Sequence, residues 1–339
     1  MNPPQADSTP YYQLTPDRVL DALQSVGLIG DGRLIALASY ENRVYQASID
    51  ASSPVVAKFY RPGRWSNEQI LEEHRFTREL SEREIPVVAP ILFENRTLHE
   101  FEGFRFAVYP RCAGRAPELE HSDTLEWMGR FIGRIHSVGT LESFAERPAL
   151  DIENFGTAPR TWLLEHGFIP NDLLPAWKAA VDQALEGVRR CYERAGECRS
   201  LRLHGDCHAG NVLWIDEDRR REGETGGPHF VDFDDARSGP AIQDLWMLLP
   251  PEREAANRAL GDVLAGYEDF CEFSPRELFL VEALRTLRLI HYSAWIASRW
   301  EDPAFPAAFP WFNTQRYWQD RILELKEQIS LMDEPPLVA

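Results

Sequence analysis

The chain has 339 residues, enough for two domains or two large lobes, and its 44% hydrophobic content is ordinary for a globular protein. Its 54 acidic and 36 basic side chains leave a net charge of −18, which argues against general binding to nucleic acid or to an anionic membrane. No run of 18 apolar residues predicts a membrane span, and five scattered cysteines without a CxxC pair indicate neither a zinc site nor a disulfide framework, so we expect a cytoplasmic protein.

The first part of the chain predicts a small β-rich lobe. Residues 1–13 are rich in proline and polar side chains and are expected to form a flexible arm. Thr15, Pro16 and Asp17 then predict a helix start, with an N-cap, a proline at the first position and an acid in the first turn. Five strands are expected from the β-rich runs that follow; these begin at Leu34 and then occupy 43–47, 54–60, 88–93 and 104–109.

The turn between the first two strands, residues 38–43, occupies the place where a kinase hairpin covers the nucleotide phosphates. It contains no Gly-x-Gly-x-x-Gly. Ser39 and its neighbours would therefore have to reach the phosphates with a hydroxyl and backbone N–H groups. An ordinary hairpin turn is the open alternative.

Lys58 lies in an apolar strand, where an unpaired buried ammonium group would be costly, so it needs a partner. A helix is predicted from Ser66 to about Ser81, and Glu73 shares one face of it with apolar side chains. Glu73 is therefore the preferred partner for Lys58, with Glu72 second and a solvated Glu73 as the plain alternative. Such a pair would hold Lys58 against the α- and β-phosphates of a nucleotide.

After an irregular linker at 110–115 the periodicity becomes helical over most of the remaining chain. We therefore predict an α+β, bilobal fold. Residues 1–110 would form the N-terminal nucleotide-binding lobe, with antiparallel strands and one main helix. Residues 111–339 would form a larger, mostly helical catalytic and substrate lobe. Within it, the apolar side chains of a predicted helix at 275–300 indicate core packing.

The segment 203–215 has apolar runs on both sides of a polar turn, which is typical of a strand, a loop and a second strand. In that turn Asp206 could accept or orient a hydroxyl proton, and Asn211, five residues later, offers an amide oxygen. Asp232 follows another apolar run and offers the hard anionic oxygen that Mg²⁺ prefers. Base, second metal ligand and main metal ligand occur in this order in kinase-type phosphoryl-transfer sites.

Other interpretations of this region remain open. Taken singly, Asp and Asn in a loop are usually turn formers. Residues 205–208, Gly-Asp-Cys-His, also look like a metallophosphoesterase segment, although no upstream Asp-x-His or downstream Gly-Asn-His accompanies it. His204 is expected to be structural, and Asp244 is expected to accept hydrogen bonds from the backbone of the Asp206 loop, with simple helix N-terminal charge as the alternative.

Six segments resemble the bacterial stress response kinase A family: 39–46, 58–62, 203–211, 239–248, 302–306 and 334–336. That family lies in the aminoglycoside phosphotransferase/choline kinase-like branch of the protein-kinase-like fold, where His-Gly-Asp replaces His-Arg-Asp. The resemblance covers about residues 14–336 and implies a bilobal protein-kinase-like fold. It also implies an ATP contact at Ser39, a proton acceptor at Asp206, and Mg²⁺ ligands at Asn211 and Asp232, with Asp232 counted as an active-site residue as well.

The predicted function is therefore that of a cytoplasmic, ATP- and Mg²⁺-dependent serine/threonine protein kinase of the stress response. The predicted partners are ATP and a protein substrate, without nucleic acid or membrane, and the predicted state is a monomer. The first alternative is a small-molecule alcohol kinase of the choline, homoserine or aminoglycoside type, which would use the same catalytic residues. The second is a catalytically silent nucleotide-binding regulator, against which the intact Lys58, Asp206, Asn211 and Asp232 argue.

Overall fold

The computed structural model describes residues 10–50, 52–216 and 226–339. The chain forms two compact units. Unit 1 comprises Met1–Arg115, Leu213–Asp234 and Glu301–Ala308, and unit 2 comprises Ala116–Val212, Asp235–Trp300 and Phe309–Ala339. The two lobes predicted from the sequence, residues 1–110 and 111–339, are each a single continuous stretch of chain. This division into lobes stays a prediction.

The described residues contain the following strands and helices. The strands are β1 (Gly30–Leu37), β2 (Arg43–Ile49), β3 (Val55–Phe59), β4 (His99–Phe101), β5 (Phe104–Pro110), β6 (Leu201–Leu203), β7 (Val212–Ile215), β8 (Gly227–Phe230) and β9 (Arg237–Gly239). The α-helices are α1 (Pro16–Ser25), α2 (Asn67–Glu82), α3 (Ser122–Gly139), α4 (Ala158–Glu165), α5 (Leu174–Ala195), α6 (Ile242–Trp246), α7 (Arg253–Tyr267), α8 (Val281–Ala297), α9 (Ala304–Ala308) and α10 (Gln315–Asp333). Short helical segments of other types lie at Glu153–Thr157, Ala209–Asn211, Phe233–Asp235 and Pro275–Leu280.

Unit 1 is built on an antiparallel sheet of five strands in the order β1-β2-β3-β5-β4. Its core combines the buried face of α1 with the inner side chains of the sheet. The core residues include Leu23 of α1, Phe59 of β3 and Phe106 of β5. Residues 1–9 of the predicted arm lie outside the described residues. The hydroxyl of Tyr11, near the end of that arm, is buried and donates to the backbone oxygens of Glu41 and Phe59, at 3.2 Å each.

The five predicted strands are present in number, but the fourth was placed wrongly. It is β4, His99–Phe101, and not residues 88–93. The segment 88–93 bonds irregularly, since the amide of Val88 donates to Phe230 O at 2.9 Å and the amide of Ile91 donates to Val108 O at 2.8 Å. Pro86 and Pro90 lack the N–H groups that a regular ladder needs. The proline spacing therefore prevents a continuous strand there.

Helices α1 and α2 of unit 1 begin where the sequence predicts. Thr15 accepts a hydrogen bond from the amide of Arg18 at the start of α1. At the start of α2, Ser66 and Gln69 form a reciprocal capping box, in which each side chain bonds the backbone of the other residue. These caps fix the register of α2 and direct Glu73 to its buried face.

Unit 2 is mostly helical, and close helix contacts hold it together. Helices α3 and α7 approach closely at Gly129 and Gly266, where an added Cβ would lie 1.9 Å and 2.0 Å from a backbone oxygen of the facing helix. Strands β6 and β9 pair antiparallel, with Leu203 opposite Arg237. The predicted α+β composition is confirmed, with the five-stranded sheet in unit 1 and mostly helices in unit 2. Of the helices described, none is both long and apolar enough to cross a membrane.

Candidate active site

In unit 1, Lys58 lies buried on β3 between two carboxylates. Its Nζ contacts Oδ1 of Asp232 at 2.7 Å and Oδ1 of Asp234 at 3.2 Å. Burial lowers the pKa of Lys58, but the charges of Asp232 and Asp234 outweigh this and hold it well above its usual value. The ammonium group is therefore charged at neutral pH, which suits a phosphate contact.

Asp232 lies between β8 and the single turn Phe233–Asp235, with a backbone φ of +60°. This left-handed conformation is uncommon for residues other than glycine, although Asp tolerates it better than most. The side chain is 54% exposed while its Oδ1 meets Lys58. The strained backbone thus leaves a solvent-accessible carboxylate beside a buried cation.

Asp234 was not predicted as a site residue, and it is almost fully buried, at 3% exposure. Besides Lys58, it bonds Arg64 through a short ion pair and accepts from Nδ2 of Asn42 at 3.2 Å. Between the two aspartates, the ring of Phe233 packs edge-on against Phe76 of α2, with centroids 6.0 Å apart. The turn that replaces the kinase Asp-Phe-Gly is therefore held by buried charges and aromatic packing.

Glu73, the predicted partner of Lys58, is buried on α2 at 2% exposure. Its charge also raises the pKa of Lys58, but less than the charges of Asp232 and Asp234 do. Its Oε2 lies 3.7 Å from Nε2 of His74, and that ring nitrogen bonds the hydroxyl of Tyr60 at 2.7 Å. The direct Lys58–Glu73 pair stays a prediction.

Ser39 lies half-buried in the connection between β1 and β2, which pair antiparallel as the predicted hairpin. The end of this connection is anchored, because Asn42 accepts the backbone N–H of Arg61 at 3.1 Å and is itself buried. A nucleotide contact by Ser39 stays a prediction.

In unit 2, the loop after β6 carries Asp206, and Asp244 of α6 holds that loop. The carboxylate of Asp244 accepts the amides of His204 and Gly205, at 2.8 Å each, and Oδ2 lies 3.0 Å from Nε2 of His136. The expected role of Asp244 as an acceptor for the loop backbone is confirmed. His204 is fully buried and its Nδ1 accepts the amide of Asp206 at 3.3 Å, so it is structural, as expected.

The carboxylate of Asp206 has two partners in unit 2. Nη1 of Arg288 donates to Oδ1 at 2.6 Å, and Nε2 of His208 lies 3.5 Å from Oδ2. Burial raises the pKa of Asp206, but the hydrogen bond from His208 and the charge of Arg288 outweigh it and lower that pKa to about 2. Asp206 is thus an ionised, oriented carboxylate at neutral pH.

Asn211 closes the same loop, since its Nδ2 donates to the backbone oxygen of Asp206 at 2.9 Å. The amide nitrogen is engaged in this way, and the amide oxygen is the atom that could bind a cation. In unit 1, the exposed carboxylate of Asp232 is a donor of the same hard class. Each oxygen, taken by itself, is of the kind that Mg²⁺ prefers, since this ion takes one or two protein oxygens and completes its shell with phosphates and water.

Sequence reasoning missed Arg288 because helix α8 was interpreted only as core packing. That interpretation is right for one face of the helix, where Leu284, Leu287 and Ile290 are buried. Arg288 lies on another face and is 43% exposed. Its 82-residue separation from Asp206 leaves no local pattern that could have joined them.

The phosphotransferase enzyme family matches residues 33–278 of the chain. The chain therefore belongs to the phosphotransferase enzyme family, and it is an enzyme that transfers phosphate.

Two relatives place it more narrowly. The chain is 42% identical over 327 residues to stress response kinase A of Escherichia coli strain K12, and equally to the serine/threonine protein kinase RdoA of Salmonella typhimurium strain LT2. Each alignment covers 96% of this chain and 96% of the relative. The resemblance to the stress response kinase A family is thereby confirmed.

Solved structures show the same fold at lower identity. Amicoumacin kinase hAmiN, in complex with AMP-PNP, Ca²⁺ and Ami, matches with a TM-score of 0.69 at 19% identity, covering 95% of each chain. A microcompartment-associated aminopropanol kinase matches with a TM-score of 0.68 at 17% identity, covering 93% of this chain and 96% of its own. These likenesses confirm the predicted protein-kinase-like fold class.

Proposed function

We propose that the enzyme is an ATP- and Mg²⁺-dependent serine/threonine protein kinase of the bacterial stress response, which transfers the γ-phosphate of ATP to a hydroxyl. The observation that carries the proposal is the pinned loop that presents the ionised carboxylate of Asp206. The names of the two 42%-identical relatives support a stress-related role and a serine or threonine acceptor.

Asp206 would accept and orient the acceptor hydroxyl. With a pKa of about 2 it is a weak base, so its main contribution would be to align the oxygen for in-line attack and to take the proton as bond formation completes. The backbone bonds from the loop to Asp244 would keep this geometry in place before the substrate arrives.

In unit 1, Lys58 would contact the α- and β-phosphates, and its elevated pKa keeps the required positive charge. Ser39 would contact the nucleotide from the β1–β2 connection. Glu73 would support Lys58 electrostatically from α2.

Asn211 and Asp232 would hold Mg²⁺, and Asp232 would count as an active-site residue as well as a ligand. The ion, when bound, neutralises charge on the phosphates during transfer. The protein's part is to present two hard oxygens, the amide of Asn211 and the exposed carboxylate of Asp232.

We also propose a cytoplasmic monomer. All five cysteines are free thiols, the state that a reducing cytosol maintains. With a net charge of −18, neither nucleic acid nor an anionic membrane is proposed as a partner.

The test compares the wild type with Asp206→Asn. Both are incubated with Mg²⁺ and ATP together with a panel of proteins and small alcohols, and phosphorylated products are mapped by mass spectrometry. We expect transfer to Ser or Thr by the wild type and a loss of turnover on the order of 10²-fold or more in the variant, with ATP affinity largely retained.

The contrary outcomes are distinct. Equal turnover of the two proteins would remove Asp206 from the proposed role. Transfer to a small alcohol and to no protein would replace the proposed acceptor class with the small-molecule alternative.

A further inference from the structure

Asp206, the proposed base, is paired with a cation that lies outside the segment 203–211. Arg288 of α8 donates to Oδ1 of Asp206 at 2.6 Å, and its side chain is 43% exposed. A guanidinium group carries five N–H donors, so one contact with Asp206 leaves donors for a second oxygen ligand. An accessible cation thus lies where an acceptor hydroxyl would have to approach Asp206.

Arg288 begins a longer surface on α8. His291, Tyr292 and Trp295 follow it at spacings of three, four and seven residues, so the four side chains share one face of the helix. All four residues are half-buried, whereas the opposite side of α8 is packed in the core. We call these four residues the α8 face.

Two stacked pairs of rings lie on the α8 face. The ring of His291 stacks on Phe155 with centroids 4.3 Å apart, and the rings of Tyr292 and Trp295 stack at 5.6 Å. The guanidinium group of Arg237 lies over the ring of Phe155, 4.6 Å from the ring centroid. From Arg288 to Trp295 the face extends about 10 Å along the helix, which is about three residues of an extended peptide.

We propose that the α8 face binds the segment of a protein acceptor around the phosphorylated Ser or Thr, with an acidic residue beside that hydroxyl contacting Arg288 and an aromatic or apolar residue packing on Trp295. This inference rests on the proposed kinase function and narrows its acceptor to acidic peptide segments. It makes Arg288 a specificity residue of the reaction.

Charge favours this occupant over a cationic one. An amine next to the acceptor hydroxyl would meet the guanidinium of Arg288, and like charges close to each other oppose binding. An acidic acceptor meets general repulsion from a chain of net charge −18, so a local cation at the base is needed to select it. The two stacked ring pairs on this face add apolar contact area beyond what a small alcohol would cover.

The experiment uses a library of Ser/Thr peptides, varied at the flanking positions, with the full-length enzyme, Mg²⁺ and ATP. The wild type should phosphorylate peptides with Asp or Glu next to the acceptor about tenfold more efficiently than their Asn or Gln counterparts. Arg288→Gln should remove this preference. Trp295→Ala should raise KM for peptides with an aromatic flank and leave KM for peptides lacking it unchanged.

Arg189→Gln is the matched control. Arg189 lies on α5 of the same unit, is 48% exposed and pairs with Glu186 at 3.2 Å, so the substitution removes a similar charge from a different place. It should keep the wild-type preference. If Arg288 were merely structural, Arg288→Gln would lower the phosphorylation rates of acidic and neutral peptides together. The ratio of the two rates would then stay at its wild-type value.

Three outcomes overturn the inference. In the first, the wild type phosphorylates peptides without a preference for acidic flanks. In the second, the preference is present but survives Arg288→Gln. Either result defeats the α8 assignment and leaves the protein-kinase proposal standing. If no peptide is phosphorylated and a small alcohol is, in an Asp206-dependent reaction, both the α8 assignment and the protein-kinase proposal fail.

Discussion

At the scale of single residues, Lys58 has two carboxylate partners that differ in exposure. The side chain of Asp234 is 5% exposed and that of Asp232 is 54% exposed. Asp234 also binds Arg64 and Asn42, so it is committed to the interior of unit 1. Asp234 thereby positions Lys58, and Asp232 is the accessible one of the two carboxylates, as its proposed role as a Mg²⁺ ligand requires.

Replacing Asp234 by Asn should destabilise the protein by about 3 kcal/mol, because Arg64 loses the charge of a buried partner. It should also raise KM for ATP, since Lys58 keeps only one of its two carboxylate contacts. Chemical unfolding and steady-state kinetics measure the two effects. Glu82→Gln, which breaks an exposed pair with Arg78 on α2, is the control and should cost less than about 1 kcal/mol.

If Asp234→Asn matched the control in both stability and KM, Asp234 would have no positioning role. An unchanged KM with lowered stability would confine Asp234 to folding.

Whether a candidate site residue could be proposed from the sequence depended on how far along the chain its partners lie. Asp206 and Asn211 could be proposed as site residues because they lie five residues apart in one loop. Asp234 was not predicted, since nothing local shows that Arg64 and Asn42 pair with it. Long-range ion pairs have no sequence period, so their partners are inferred only from a structure.

At the scale of elements, the Asp206 loop depends on one turn at Gly205. Its φ is +86°, and a Cβ there would lie 2.1 Å from the backbone oxygen of Asp235. The carbonyl of Gly205 also accepts Nε2 of Gln243 at 2.9 Å. The close approach of two backbone segments therefore requires glycine at this position.

Gly205→Ala should displace the loop and lower turnover by at least about tenfold, as well as lower stability by more than the 1–2 kcal/mol of a left-handed alanine, because the methyl group collides with backbone. Turnover and urea unfolding measure these losses. Gly63→Ala is the matched control: Gly63 has a φ of +76° and nothing within 4 Å of its Cβ position.

The control should therefore show the conformational cost alone, with turnover preserved. Equal effects of the two substitutions on stability would mean that the approach of Asp235 is not a constraint on this turn.

Elements were predictable where their signals lie within a few residues. The predicted start of α2 at Ser66 is confirmed, and the structure adds that Ser66 forms a capping box with Gln69. The fourth strand was misplaced because the β-rich run at 88–93 contains Pro90, which has no N–H for a ladder, while β4 is only three residues long. Short strands depend on their neighbours in the sheet more than on their own composition.

At the scale of the whole molecule the chain is acidic, with 54 acidic and 36 basic side chains, yet a cation lies beside a candidate site residue in each unit. Lys58 serves unit 1 and Arg288 serves the Asp206 loop of unit 2. Some of these carboxyl groups are buried, and this affects stability because the removal of a charged carboxylate from water costs free energy. Glu277 is the clearest example, buried at 2% exposure with Oε2 accepting the amide of Ile242 at 2.9 Å.

Burial raises the pKa of Glu277 to about 7, while hydrogen bonds from the amides of Ile242 and Ala241 act in the lowering direction. The folded protein therefore holds this proton more tightly than the unfolded chain, whose Glu has a pKa of about 4.3. By linkage, the stability that the proton contributes is fully present below pH ~4.3 and is lost as the pH rises through about 7.

Glu277→Gln should remove this dependence, so its stability relative to the wild type should rise between pH 5 and pH 8, by roughly 3 kcal/mol at most. Urea unfolding of both proteins at the two pH values measures the change. Glu186→Gln, on the exposed surface of α5, should leave the wild-type pH dependence unaltered. If the curves for wild type and Glu277→Gln run parallel across this range, Glu277 keeps its charge in the folded state, and the two amide hydrogen bonds outweigh the cost of its burial.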